Sequence, residues 1–341
     1  MTSTTDTLHR QSSSNLTVQL SRFREIGIVA FLIIVIIVTV LLKPNFIQPI
    51  NIRSILLWIP LLSVVAMGQM MVIITRGIDV SVGSILAFSG IVVGMIFRDF
   101  PEFNIYLGTL LGILLGAMLG AINGGLIAWL KVPPIITTLG TLSAYRGLVF
   151  IVSGGRQIDP NHVPTALIRW SQRGPFGIQW IPWVVIIAIV VALLTYAFLR
   201  FTKMGRNIYA IGGNPDAAKL RGISVESTTF IVYLITGGLA GLAGILYASR
   251  FGFVNPGETG VGFELTVIAA AIIGGTNIFG GSGTVLGVFL GCLLLGTISV
   301  ALAVLGVAST WQLAVYGFVI LLAVIVDGII QRELQRATTG E

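Results

Sequence analysis

Charge is scarce in this chain: only 10% of its 341 residues are Asp, Glu, Lys or Arg, against about 25% in a soluble domain. Cysteine is scarcer still. Cys292 stands alone, so no intrachain disulfide can form. The two histidines, His9 and His162, are far apart and part of no ligand spacing, so no metal site is expected. There is no G-x-x-x-x-G-K-[ST] phosphate loop, no nucleophile–base pair and no paired-carboxylate arrangement. No catalytic residue is therefore expected, and the chain does not read as an enzyme. The net charge of +7 does not point to nucleic acid, because the basic residues lie between oily blocks, with no basic stripe interleaved with aromatics.

What the chain has instead is oil, in long runs. Hydrophobic residues make up 55% and gather in blocks such as 26–42, 104–130 and 310–326. Nearly uncharged blocks of about 17 residues or more read as membrane-spanning helices. No ten-residue alternation of the barrel kind occurs. The fold class is an all-α polytopic membrane protein with about ten crossings: 26–42, 54–75, 81–97, 104–130, 134–153, 181–199, 228–248, 263–276, 283–299 and 310–327. Pro60 should kink or break the second crossing. The first reads as an uncleaved span, since no small-residue cleavage site follows it in "KPNFIQP". The expected organisation is a disordered, cytoplasmic Ser/Thr-rich tail at 1–25, one transmembrane domain at 26–328 and a cytoplasmic tail at 329–341. No acidic group is expected well inside a span; Glu264 and Asp327 sit near ends.

Orientation follows from Lys and Arg. With the N-terminus inside, about 12 basic residues fall on the inner side and about seven on the outer: Lys43, Arg53, Arg98, Arg156, Arg169, Arg173 and Arg250. The bias favours both termini in the cytoplasm. "LGTLLGILLGAMLG" (107–120) resembles "SGTVLGVFLGCLLLG" (282–296), and each follows a Val-Gly pair, at 82–83 and 261–262. The two copies run in opposite directions in this topology, as an inverted internal repeat requires. Glycine recurs every four residues at 108, 112, 116, 120 and 124, and again at 283, 287 and 291. Each series gives one smooth helix face for close packing in lipid.

One stretch does not belong in lipid. "GGNPDAAKLRG" (212–222) reads as a short soluble helix. Asn214 suits the N-cap and Pro215 the first helical position. Asp216 faces the positive end of the helix dipole, Lys219 and Arg221 the negative end, and Gly222 supplies a left-handed C-cap. Two turns do not hold themselves in water. The helix either closes a long loop (200–227) or docks on a partner. Arg146 is a charge inside a span, either an anchor or a pathway residue. Asp79 or Ser81 caps the third span, and Asp79 is placed to pair with Arg76. Arg156, Arg169 and Arg173 are candidates for docking an extracytoplasmic partner. "GGTNIFGGSG" (274–283) reads as a turn rather than a phosphate cradle.

"GRNIYAIGGNPDAAKLRGI" (205–223) resembles the cytoplasmic coupling segment of the ribose-type sugar ABC importer permeases. "TRGIDVSVGS" (75–84), "WLKVPPIITTLGTLSAYRGL" (129–148) and "IAAAIIGGTNIFGGSGTVLGVFLG" (268–291) are similar to the same family, in order and spacing. The resemblance implies a type II ABC importer-like permease, multi-pass in the bacterial plasma (inner) membrane and embedded in its lipid. It implies four partners: a second permease copy or homologue, a cytoplasmic ATPase carrying the ATP and Mg, a periplasmic or extracellular sugar-binding protein, and a small sugar. This chain itself would bind no cofactor. The ATPase-coupling helix would be Asn214, Pro215, Asp216, Ala217, Ala218, Lys219, Leu220, Arg221 and Gly222, flanked by Gly205 and Arg206. The cargo expected first is a pentose or deoxyhexose. The alternatives are autoinducer-2, carried by a member of the same family, or an ion-coupled secondary transporter.

Overall fold

The computed structural model describes residues 25–175, 180–308, 311, 314, 315, 317, 318 and 321. The tail at 1–25, except Glu25, most of the tenth expected crossing (with Asp327) and the tail at 329–341 lie outside the described residues. Twelve α-helices are described: α1 (Glu25–Leu42), α2 (Pro49–Ile74), α3 (Val82–Asp99), α4 (Ile105–Ala128), α5 (Pro134–Ser153), α6 (Thr165–Gln172), α7 (Trp183–Phe201), α8 (Lys203–Gly213), α9 (Pro215–Leu220), α10 (Val225–Phe251), α11 (Phe263–Ile273) and α12 (Val285–Val304). Eight of them are long and apolar enough to cross a membrane: α1 to α5, α7, α10 and α12.

Three expectations need correction. The eighth crossing is a half-span: α11 has 11 residues, or about 16 Å of helix, against a hydrocarbon core of about 30 Å. Pro60 does not break α2, which runs unbroken through it. The loop at 200–227 is mostly helical, because Thr202 caps an unforeseen helix, α8, through Gly205 N–H at 3.0 Å.

α2 and α10 form the centre. Gly68 lies against Thr236, and Arg250 reaches the Leu57 carbonyl, so the two run antiparallel. α4 lies antiparallel along α10, with Gly112 against Gly241, Gly116 against Gly237 and Gly124 against Phe230. A Cβ at Gly116 would strike the Gly237 carbonyl oxygen, and one at Gly237 the Gly116 oxygen. The glycine spacing thus does what the sequence predicts: it lets two backbones touch, the main source of helix association in lipid.

The inverted repeat is visible in the packing. α3–α4 and α11–α12 are equivalent hairpins. α10 packs on α3 and α4 as α2 packs on α11 and α12, and the equivalent helices α2 and α10 point in opposite directions. The first turn of α3 meets the turn before α11 at the interface between the halves, where Gly83 and Gly260 (φ +74°) are so close that a Cβ on either would strike the other's carbonyl.

Candidate functional site

Two polar regions interrupt this apolar bundle. The first covers one end of it. Asn214 Oδ1 accepts from Ala217 N–H at 3.0 Å and starts α9, and Gly222, with φ +77°, ends it. Both follow from the local sequence. The end is held in place by close backbone contacts together with the buried Ile208 and Ile211 of α8. Gly212 meets the Ile74 carbonyl and Gly281 so closely that no Cβ fits. Gly281 N–H donates to Ile74 O at 3.0 Å, and Tyr209 Oη donates to Gly283 O at 2.9 Å. Burial raises the Tyr209 pKa, so this hydroxyl keeps its proton as a donor.

Arg76 completes the joint. Its Nε and Nη2 donate to the Gly212 and Gly213 carbonyls at 2.8 and 2.7 Å, with its own backbone left-handed at φ +65°. The expected Asp79–Arg76 pair is therefore absent: the guanidinium turns toward the end of α8, away from Asp79. Lys131, also left-handed (φ +58°), pairs with Glu226 at 2.6 Å and ties the end of α4 to the start of α10.

Within α9, Ala218 faces inward and is buried, whereas Asn214, Asp216, Ala217, Lys219, Leu220, Arg221 and Gly222 are exposed and Pro215 is half-buried. Leu220 is 90% exposed. Of the flanking residues, Gly205 is buried under Leu199 and Arg206 is exposed.

The second region is a buried polar chain within the first half, joining α2, α4 and α5 to the segment before α3. Asp79 Oδ1 accepts from Ser81 N–H at 2.8 Å and from Ser81 Oγ at 2.6 Å. Ser81 occupies the N-cap of α3, so Asp79 braces the cap rather than forming it. Asn123 Nδ2 donates to Ser81 Oγ at 2.8 Å, and Tyr145 Oη lies 3.1 Å from Asn123 Oδ1. With its amide turned to satisfy both groups, Gln69 bonds Asp79 N–H and C=O, each at 3.1 Å. Gln69 sits about 8 Å along α2 from its end. Asp79 itself is fully buried, in the segment between α2 and α3. Sequence reasoning missed Gln69, Asn123 and Tyr145 as partners, although "MGQM" and "AING" each place an amide in an apolar run.

Arg146 acts as an anchor. Its Nη1 donates to Thr259 O at 2.7 Å and lies 3.3 Å from Pro256 O, holding the segment before α11. Arg250, expected in a loop, lies at the end of α10, donates to Leu57 O at 2.7 Å and stacks over Trp58. Arg156, Arg169 and Arg173 are all exposed at the end opposite α9, with Arg169 on the unforeseen helix α6. Among the described residues no group of three or more His, Cys, Asp or Glu is placed to hold a metal ion.

Comparison with known proteins agrees with this arrangement. The family described as branched-chain amino acid transport system / permease component matches residues 51–324. Curated relatives carry the name autoinducer 2 import system permease protein LsrC. The one from Photorhabdus luminescens is 37% identical over 281 residues, 82% of each chain. The one from Salmonella typhimurium (strain LT2) is 37% identical over 81% of this chain and 77% of its own. The one from Escherichia coli O9:H4 is 35% identical over 81% and 78%. No solved structure matches the chain. An all-helical bundle of inverted halves, with relatives named as permeases rather than enzymes, leads to one statement: this chain belongs to the branched-chain amino acid-type permease family, among the ribose-type ABC importer permeases.

Proposed function

We propose that this chain is the permease subunit that admits autoinducer-2, or a closely similar small sugar-derived molecule, to the cytoplasm, driven by a separate ATPase. The observation that carries the coupling is the backbone joint just ahead of α9: the end of α8, which leads into this short helix, is locked to the end of α2 through Arg76, Gly212 and Ile74. The names of the relatives favour autoinducer-2 over the pentose or deoxyhexose expected first.

In this reading α9 faces the cytoplasm and enters a groove on the ATPase. Closure of the ATPase on ATP and Mg displaces α9, and the joint passes the displacement to the antiparallel pair α2 and α10. The two inverted halves then rock about their contact at Gly83 and Gly260. Nucleotide and cargo drive this only through different affinities for the two states. The arginines at the opposite end, Arg156, Arg169 and Arg173, would meet acidic groups on an extracytoplasmic binding protein. A second permease copy or homologue would complete the pathway. Asp79 and its partners brace α2 to α5 against one another rather than carry an ion.

The test is uptake in vesicles. With ATPase, second permease and binding protein present, ATP should drive labelled autoinducer-2 inward, and excess ribose should not compete. Effective competition by ribose would transfer the cargo to the pentoses. Uptake by this chain alone under a proton or sodium gradient would overturn the coupling. Labelling of Lys219 by an impermeant amine reagent from outside intact cells would reverse the orientation.

A further inference from the structure

Two apolar side chains at the α9 end of the bundle stand in water-facing segments rather than on a span. Leu220 is 90% exposed on α9, and Phe279 is 65% exposed on the turn between α11 and α12.

We propose that Phe279 and its turn form a second contact for the same cytoplasmic ATPase that engages α9; this rests on the coupling reading above. Four observations lead there. The turn is rigid. Asn277 N–H donates to Ser282 O at 3.0 Å, Gly280 N–H to Asn277 O at 2.9 Å, and Phe279 N–H to Asn277 Oδ1 at 2.9 Å. The backbone then runs left-handed through Gly280 (φ +88°) and Gly281 (φ +80°), which only glycine does without strain. A large apolar side chain held out on such a turn costs solubility unless something covers it.

The turn is also continuous with the coupling surface. Gly280 lies against the Arg76 side chain, and Gly281 packs on Gly212, the residue that leads into α9. Both apolar groups are exposed beside inward-packed neighbours. Ala218 is buried, and Leu220, two residues on, is rotated about 200° from it; Ile278 packs on the core while Phe279, next to it, stays exposed.

Charge names the kind of occupant. Lys203, Arg206, Lys219 and Arg221 are all exposed on α8, α9 or directly after them, while Asp216 is the one acid within α8 and α9. The complementary surface is a protein groove with an apolar floor and an acidic rim. Mechanically the second contact matters because the turn joins α11 to α12, whereas α9 leads to α10. A partner holding both would pull on two places in one half while the joint at Ile74 and Arg76 loads the other half.

The test uses the full transporter in native membranes, in a Cys292→Ser background with Leu220→Cys or Phe279→Cys carrying a short photo-cross-linker. The adduct is identified by mass. An ATPase adduct at both positions is the expected result. An adduct at 220 with none at 279 overturns this inference and leaves the coupling helix intact. An adduct of 279 with lipid or with a second permease copy also overturns it. No ATPase adduct at either position overturns the coupling reading as well. In parallel, Phe279→Ala should lower the ATPase retained through purification about tenfold, and Phe279→Tyr should restore it. Full retention by a monodisperse Phe279→Ala protein would overturn the second contact.

Discussion

The two ends of the bundle are built on different principles. At the α9 end, backbone meets backbone: Gly212, Gly281 and Ile74 allow no Cβ between them, and Arg76 bonds carbonyls rather than a carboxylate. At the opposite end, an isolated bridge between Ile158 and Val254 and the stacking of Arg250 on Trp58 hold segments that carry exposed arginines. The first end is suited to passing on a displacement, since close-packed groups with no side-chain freedom move together. The second is suited to being met by a charged partner, since solvated arginines steer an encounter and cost little to rearrange.

This contrast can be broken most severely at Gly212. Gly212→Val forces the Ile74 carbonyl and Gly281 apart, and ATP-driven uptake should fall about a hundredfold, as overpacking of this kind costs about 1–3 kcal/mol. Uptake near wild type would show that the joint is not tight in the working protein. Arg76→Ala comes next. It removes two charged hydrogen bonds to α8, and each such bond is worth about 1.5–3 kcal/mol when buried. Arg76 is partly exposed, so the expected loss of uptake is about tenfold, with ATP hydrolysis continuing uncoupled. Equal losses of both activities would mean that Arg76 supports folding instead.

Asn214→Ala should act more mildly. It removes the cap on α9, worth about 1 kcal/mol, so ATPase affinity should drop about fivefold, read by co-purification at graded concentrations. At the other end, Arg169→Glu with Arg173→Glu should lower binding-protein-stimulated ATP hydrolysis about threefold, and added salt should erase the difference. A loss as large as that at Gly212, or one insensitive to salt, would erase the distinction between the ends.

Much of this was legible in the residues. Eight of the ten expected spans, the glycine contacts of α4, the cap at Asn214 and the stop at Gly222 all depend on local chemistry within a few residues, and these are where the sequence placed them. Ala218 and Arg76 were harder. A six-residue helix has no hydrophobic period long enough to show which side is inward, so nothing marked Ala218 as buried and Leu220 as free. The charge beside Asp79 in sequence suggested an ion pair, yet Arg76 is drawn to carbonyls 136 and 137 residues away. The polar chain through Gln69, Asn123 and Tyr145 joins three different helices, and no spacing rule connects them.

The sequence by itself determined that the chain lives in a bilayer, where most of its long helices run, and which faces are smooth enough to touch. These depend on the transfer of side chains from water and on backbone geometry over a turn or two. Only the tertiary structure decided that α11 is a half-span, that Asp79 is buried and that the end of α8, ahead of α9, is fastened to α2. Those depend on which distant carbonyls and side chains are brought within hydrogen-bonding reach, and that is a property of the packed bundle.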